Sequence, residues 1–432
     1  MTTTAIIACV IFGAAYVAIL TEKVHKTVAA LAGGVAMVIL GVVSEETAFA
    51  SIDLSVILLL TGMMILTHYL AESGFFEFVA IHMVQVSQGR PIPLIILMST
   101  LTAVLSALVD NVTTVLLVAP VTFLVCQQLE LKPGPYLIVQ ILACNEGGTA
   151  TLIGDPPNIL IGSKAGLSFN EFLMHLAPIV AVCHLVLIVV AIVLVRHDRF
   201  VPMDVRVRVR EMHPRRAIRS MPLLIKSGSV LLAVLCGFLL HGVFHVPPAS
   251  IALSGAALIM VLARTEPDEA FKVVEWSTLF FFVGLFMLVA GLVEAGVIQQ
   301  LADLALRMTG GDLFITSMVL LWLSAFAAMF VGAVPITATL IPMVQSMIPG
   351  VAAGADASIQ TVSYALWWSL ALGVCLGSNG TILGGAANIV VIDIARRNGL
   401  EISFARFMRY GVPYTFVTLL IASVYVAIRY IF

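Results

Sequence analysis

Asn145-Glu146-Gly147-Gly148-Thr149-Ala150-Thr151-Leu152-Ile153-Gly154-Asp155-Pro156-Pro157-Asn158 interrupts an apolar stretch, 135–162, that is otherwise long enough to cross a bilayer. Paired glycines hold a helix poorly, and Pro156-Pro157 after Asp155 is a helix-start signal. The spacing predicts a span broken near its middle. A second such break is expected within 363–392, at Gly377-Ser378-Asn379-Gly380-Thr381 followed by Gly384-Gly385-Ala386-Ala387-Asn388. Two further breaks, Val109-Asp110-Asn111-Val112-Thr113-Thr114 and Gly332-Ala333-Val334-Pro335-Ile336-Thr337, divide the apolar pairs 92–128 and 313–348. In lipid an unpaired backbone group is costly, so non-helical backbone survives only inside protein or beside a cavity. Half-helix N-termini attract anionic or hydroxyl-rich solutes, while carbonyl ends and Asn or Thr oxygens hold cations. Four breaks brought together would make a polar site at half-depth.

The rest of the chain reads as membrane. Of 432 residues, 61% are apolar and 11% charged, against roughly half and a quarter in soluble domains, so the surplus must face lipid. Net charge is −2, which gives no basic patch for nucleic acid. Candidate spans are 4–20, 27–43, 54–71, 92–109, 112–128, 135–162, 174–195, 223–242, 249–263, 276–293, 313–330, 334–348, 363–392 and 412–430. The stretches 75–87 and 297–309 alternate polar and apolar residues and read as interfacial helices. The start, MTTTAIIACVIFGAAYVAIL, lacks a basic flank and reads as a first span rather than a leader. The linker 196–222 carries eight arginines; with it on the cytoplasmic side, only Lys164, Arg307 and Arg429 of 22 basic residues fall opposite. Both termini are then periplasmic, and a bacterial inner membrane is expected.

The chain also repeats itself. A shift of 222 pairs Gly33 with Gly255, Gly62 with Gly284, Glu72 with Glu294 and Pro120 with Pro342. A shift of 230 pairs Gly147, Thr151, Gly154 and Asn158 with Gly377, Thr381, Gly384 and Asn388, and a shift of 235 pairs Pro178 with Pro413. Five spans and one helical pair per copy is odd, so the second copy enters from the opposite side, the plan of secondary transporters. The expected fold is an all-α polytopic membrane protein of two inverted-topology repeats. The first repeat is 1–195, a basic linker 196–226 follows, and the second repeat is 227–432.

The strings DNVTT at 110–114, AP at 119–120 and GGTATLIGDPPN at 147–158 resemble the ion transporter superfamily of ArsB/NhaD-type permeases. That group includes arsenite permeases, sodium/proton antiporters, the pigment P protein and sodium-coupled dicarboxylate carriers. The resemblance implies that 92–128 and 313–348 are re-entrant hairpins and that 135–162 and 363–392 unwind mid-span. The superfamily's dicarboxylate carriers have Ser-Asn-Thr at both tips. Here the tips read Asp110-Asn111-Val112-Thr113 and Gly332-Ala333-Val334-Pro335, which argues against dicarboxylates.

Three acids sit at breaks, Asp110, Glu146 and Asp155, where the second copy has Gly332, Leu376 and Gly385. No Lys or Arg is expected within a span core. An intramembrane acid is a functional candidate, although Asp110 and Asp155 also read plainly as helix N-caps. Expected substrate and ion contacts are Asp110, Asn111, Thr113, Thr114, Asn145, Glu146, Gly148, Thr149, Asp155 and Asn158, then Thr337, Ser378, Asn379, Thr381 and Asn388. Asp110, Glu146 and Asp155 are the proton-coupling candidates. His68 and His184 read as core residues with a relay role as the alternative. Cys144 and Cys375 lie near breaks, but thiolate ligation of a metalloid would slow its release, and no metal centre is expected.

Three acids without a basic partner would repel a dianion and suit H+, Na+ or a neutral solute. The leading expectation is proton-coupled efflux of arsenite and antimonite by alternating access. Na+/H+ antiport is the alternative, and dicarboxylate carriage the third. An intramembrane protease would need Gly-x-Gly-Asp, but 152–155 reads Leu-Ile-Gly-Asp, so no enzyme is expected. No cofactor is expected; the coupling ion is H+ or Na+. The partners are a small inorganic solute and the lipid bilayer. No Gly-rich Lys motif for ATP occurs, so ATP energy would require a separate ATPase subunit, and a homodimer is left open.

Overall fold

The computed structural model describes residues 2–21, 23–196, 201–202 and 213–432. The first half runs α1 (Thr3–Thr21), α2 (Lys26–Ile39), α3 (Glu45–Ala50), α4 (Leu54–Glu72) and α5 (Phe75–Ser87). It continues with α6 (Pro91–Leu108), α7 (Asn111–Gln128), α8 (Pro133–Thr149), α9 (Pro156–Ala165) and α10 (Phe169–Val195). The second half runs α11 (Met221–Phe244), α12 (Pro248–Ala263), α13 (Pro267–Lys272), α14 (Trp276–Glu294) and α15 (Val297–Thr309). It ends with α16 (Leu313–Val331), α17 (Ala333–Ala355), α18 (Ile359–Gly377), α19 (Ala386–Arg397) and α20 (Phe404–Val426). Among the described residues eleven helices are long and apolar enough to cross a membrane.

Local chemistry places the helix starts. Asp53 caps α4, Asp312 caps α16, and Ser168 with Glu171 closes a capping box on α10. In α10 the apolar residues divide by face. Cys183, Leu187, Ala191 and Val195 are buried at i+4 spacing, while Val182, Leu185, Val189 and Val193 are exposed. Such an exposed row is a lipid-facing surface rather than a defect in a soluble core.

Helix for helix, the halves keep the same order, and their contacts correspond. α2 packs on α14 and α4 on α12. A Cβ on Gly284 would strike the backbone of Ala30 and Leu31, and one on Gly62 would strike Ala252 and Leu253. These are the small-residue crossings that let membrane helices approach closely. α6 packs on α8 as α16 does on α18, and α7 packs on α19 as α17 does on α9. The hairpin of each half therefore braces the broken helix of its own half and the restart helix of the other.

Several boundaries differ from expectation. Gly147 and Gly148 do not end α8, which continues to Thr149, and Gly377 is likewise helical. Their lack of a side chain serves packing instead: a Cβ on Gly147 would strike the backbone of Ala103, and one on Gly377 that of Ala325. The breaks proper are 150–155 and 378–385. α10 begins before 174, and α17 runs past 348 with Pro342 and Pro349 inside it. The short helices α3 and α13 were not expected. Arg199, Arg206, Arg208 and Arg210 lie outside the described residues. Arg219, at the described end of the linker, reaches Glu77 at 2.8 Å, and its N–H donates to the Ser73 carbonyl at 2.9 Å.

Candidate functional site

Each break is tied by the same devices. Thr151 Oγ1 donates to the Ala107 carbonyl of α6 at 2.5 Å, and Thr381 Oγ1 donates to the Met329 carbonyl of α16 at 2.5 Å. Asn158 Nδ2 donates to the carbonyls of Gly148, Thr149 and Thr151 at 3.3, 3.1 and 2.9 Å. Asn388 Nδ2 donates to those of Ser378 and Thr381 at 2.8 and 2.9 Å. These amides satisfy carbonyls that the stopped helices orphan. The breaks are also joined to each other. Asn145 Nδ2 donates to Asn388 Oδ1 at 2.8 Å and to Asn379 Oδ1 at 3.0 Å. The Cys375 thiol, 230 positions beyond Asn145, donates to Asn158 Oδ1 at 3.5 Å.

A cavity of about 540 Å³ lies where breaks and hairpin tips meet, and Asp110, Asn111, Asn145, Asp155 and Ser378 line it. So do four helix starts, those of α7, α9, α17 and α19. Asp110 Oδ1 accepts from the Thr113 N–H at 2.9 Å and caps α7, while its Oδ2 is buried without a partner among the described residues. Asp155 stands at the cap position of α9 but makes no cap bond; it faces Asn111 and the Cys375 thiol. The N-cap reading therefore holds for one oxygen of Asp110 and fails for Asp155. The matching starts of α17 and α19 carry Gly332 and Gly385, with no side-chain cap. Gly332 has φ +100°, a backbone open to glycine.

The other expected contacts lie off the cavity wall. Asn158 and Asn388 spend their amides on backbone, and the Thr149, Thr337 and Thr381 hydroxyls on carbonyls at 2.8, 2.7 and 2.5 Å. Asn379 holds Asn145 and keeps a buried Nδ2 that, like Thr114 Oγ1, has no partner among the described residues. Thr113 serves Asp110 through its backbone N–H and its side chain. Gly148 leaves room for Asn111 Oδ1, which accepts from the Ser106 hydroxyl. Glu146 is fully buried and faces away from the cavity: Tyr414 Oη donates to its Oε2 at 2.5 Å, and His184 Nδ1 stands 3.3 Å from its Oε1. Cys144 donates to the Asn111 carbonyl at 3.3 Å, and neither Cys144 nor Cys375 lines the cavity. Among the described residues no three metal-ligating side chains cluster. His68 stands 3.9 Å from Glu72 at a partly exposed position, so it is no core residue.

Sequence reasoning missed the cavity's outer wall: His25, Lys26, Glu275, Thr278, Phe281 and Phe282. Lys26 also lies 5.6 Å from the Phe281 ring centroid. Burial, reinforced by the charge of Asp110, pushes the Glu275 carboxyl above the usual glutamate range. His25-Lys26 before an apolar run was legible only as a sidedness marker.

Broken helices that bring carboxylates and amides to a largely apolar cavity inside an apolar bundle make this a multi-pass membrane transporter. The chain belongs to the citrate transporter (CitMHS) family, which it matches over residues 16–373. It is 41% identical over 434 residues to an uncharacterized transporter of Mycobacterium tuberculosis, covering 98% of each chain. It is 31% identical over 509 residues to the P protein of Sus scrofa, covering 98% of this chain and 59% of that one. In fold it is similar to the YdaH transporter of Alcanivorax borkumensis, with TM-score 0.52, 15% identity, and coverage of 90% of this chain and 86% of that one.

Proposed function

We propose that the chain is an ArsB/NhaD-type secondary transporter of the bacterial inner membrane that exports arsenite and antimonite in exchange for protons by alternating access. The observation that carries this is the buried, unpartnered Asp110 Oδ2 at a hairpin tip on the cavity wall. On the wall, acceptors are the carboxylates of Asp110, Asp155 and Glu275; donors are Lys26 and the helix starts, those of α17 and α19 being uncapped. A neutral trihydroxy solute donates to the first and accepts from the second. The hairpin tips meet the breaks well inside the broken helices, which supports re-entrant hairpins and two inverted repeats. The cavity reaches His25 and Lys26, on the side that the basic residues mark as cytoplasmic, which supports an inward-facing conformation.

The family match and Lys26 on the wall favour a second reading, in which citrate binds the uncapped helix starts with a cation held at Asp110 and Asp155. Everted vesicles separate the two. The proposal expects arsenite uptake that follows an imposed pH gradient and no saturable citrate uptake. Citrate accumulation without arsenite flux would replace the first reading by the second. A Na+-dependent pH change without flux of either solute would make the protein an antiporter.

A further inference from the structure

Asn145 and Glu146 are neighbours on α8, yet they serve different neighbourhoods. Asn145 lines the cavity and bonds to Asn379 and Asn388. Glu146 is turned toward α10 and α20, away from the cavity, and no exposed surface remains on it. Tyr414 of α20 donates to Oε2 at 2.5 Å. His184 of α10 presents Nδ1 to Oε1 at 3.3 Å, and its Nε2 lies 2.9 Å from Thr100 Oγ1 of α6. Cys183, a further titratable group, also lies near Glu146. Among the described residues no Lys or Arg is paired with Glu146, and Oε1 and Nδ1 have no other hydrogen-bond partner. A full negative charge held in this place is costly; one added proton removes it.

We infer that Glu146 and His184, positioned by Tyr414 and Thr100, form a proton-carrying site separate from the solute cavity, so that proton and solute never share a chamber. This rests on the proton coupling proposed above and deepens it. In the unloaded state Glu146 is ionised and His184 is neutral, with its proton on Nδ1 aimed at Oε1; Thr100 Oγ1–H donates to Nε2. Loading adds one proton at Nε2, which reverses the Thr100 bond so that Nε2–H now donates. The Nδ1 proton is then free to pass to Oε1. The pair changes from net charge −1 to neutral, and Tyr414 keeps its proton throughout. His184, whose side chain is 15% exposed while Glu146 is fully buried, is the member of the pair that the proton reaches first. Solute occupancy is felt through the one-residue step from Glu146 to Asn145, which holds the two breaks together.

Two measurements test this. The first is infrared difference spectroscopy on purified full-length protein between acid and alkaline buffer. Wild type should show a buried carboxyl band that is absent in Glu146→Gln and shifted in His184→Gln. A band unchanged in both variants overturns the proposal. The second compares pH-driven arsenite uptake with arsenite counterflow in vesicles. In His184→Gln the ratio of driven flux to counterflow should fall about tenfold or more. An unchanged ratio overturns the site, as does equal loss of both fluxes, which would mark a structural role. If the infrared bands behave as expected while wild type moves no arsenite, the proton site stands and the arsenite reading falls.

Discussion

The break at 150–155 and the break at 378–385 share their ties to the hairpins and to the helix that follows. Thr151 and Thr381 bond a hairpin carbonyl, and Asn158 and Asn388 gather the loose carbonyls of the stopped helix. Their charges differ. Asp110, Glu146 and Asp155 belong to the first half; Gly332, Leu376 and Gly385 hold those places in the second. Since the second break keeps its shape without an acid, the charge of the first break's acids is not needed for shape, although Asp110 Oδ1 caps α7. An intramembrane carboxylate oxygen beyond what a cap needs is a functional candidate. The difference divides the site into a scaffold made twice and a chemistry made once.

The largest effect should come from the shared scaffold. Asn158→Ala and Asn388→Ala each strand two or three buried carbonyls. Each should lower stability by about 2–5 kcal/mol, at roughly 1–3 kcal/mol per orphaned group softened by relaxation. Thermal unfolding in detergent reads this, and the comparison breaks if only one of the two variants destabilises. A smaller effect is expected at Glu275. Its raised folded-state pKa means that the folded state binds its proton more tightly than the unfolded state does. Stability from this residue is therefore fully present below the ordinary glutamate value, about 4.3, and is lost as pH rises through the raised folded value. Glu275→Gln should flatten that part of the stability curve and change the rest little. A variant with the wild-type slope would remove Glu275 from the account.

Much of this was legible in the sequence. Glycine, proline and asparagine at matched spacing marked the breaks, because lipid forbids careless interruption of a helix. Gly62 and Gly284 were legible as matched positions of the repeat; that they let helices cross closely is shown only by the structure. What the sequence withheld was direction. One residue step turns a helix by about 100°, enough to send Asn145 into the cavity and Glu146 to its far side. Asn158 and Asn388 read as solute ligands because only the coordinates show their amides spent on backbone. Gly147 and Gly148 read as a helix end because glycine weakens a helix in water, whereas here it lets α6 close on α8. Lys26 and Glu275 are distant in sequence and meet only when α2 lies across α14.

Asp110→Asn tests the division between scaffold and chemistry most directly, through pH-driven arsenite flux in everted vesicles measured beside the melting temperature of the same protein. The amide keeps the cap on α7 and removes the charge, so flux should fall about a hundredfold or more while melting shifts by no more than a few degrees. Flux retained within about twofold would contradict the account, since the lone buried oxygen at the tip would then do nothing for transport.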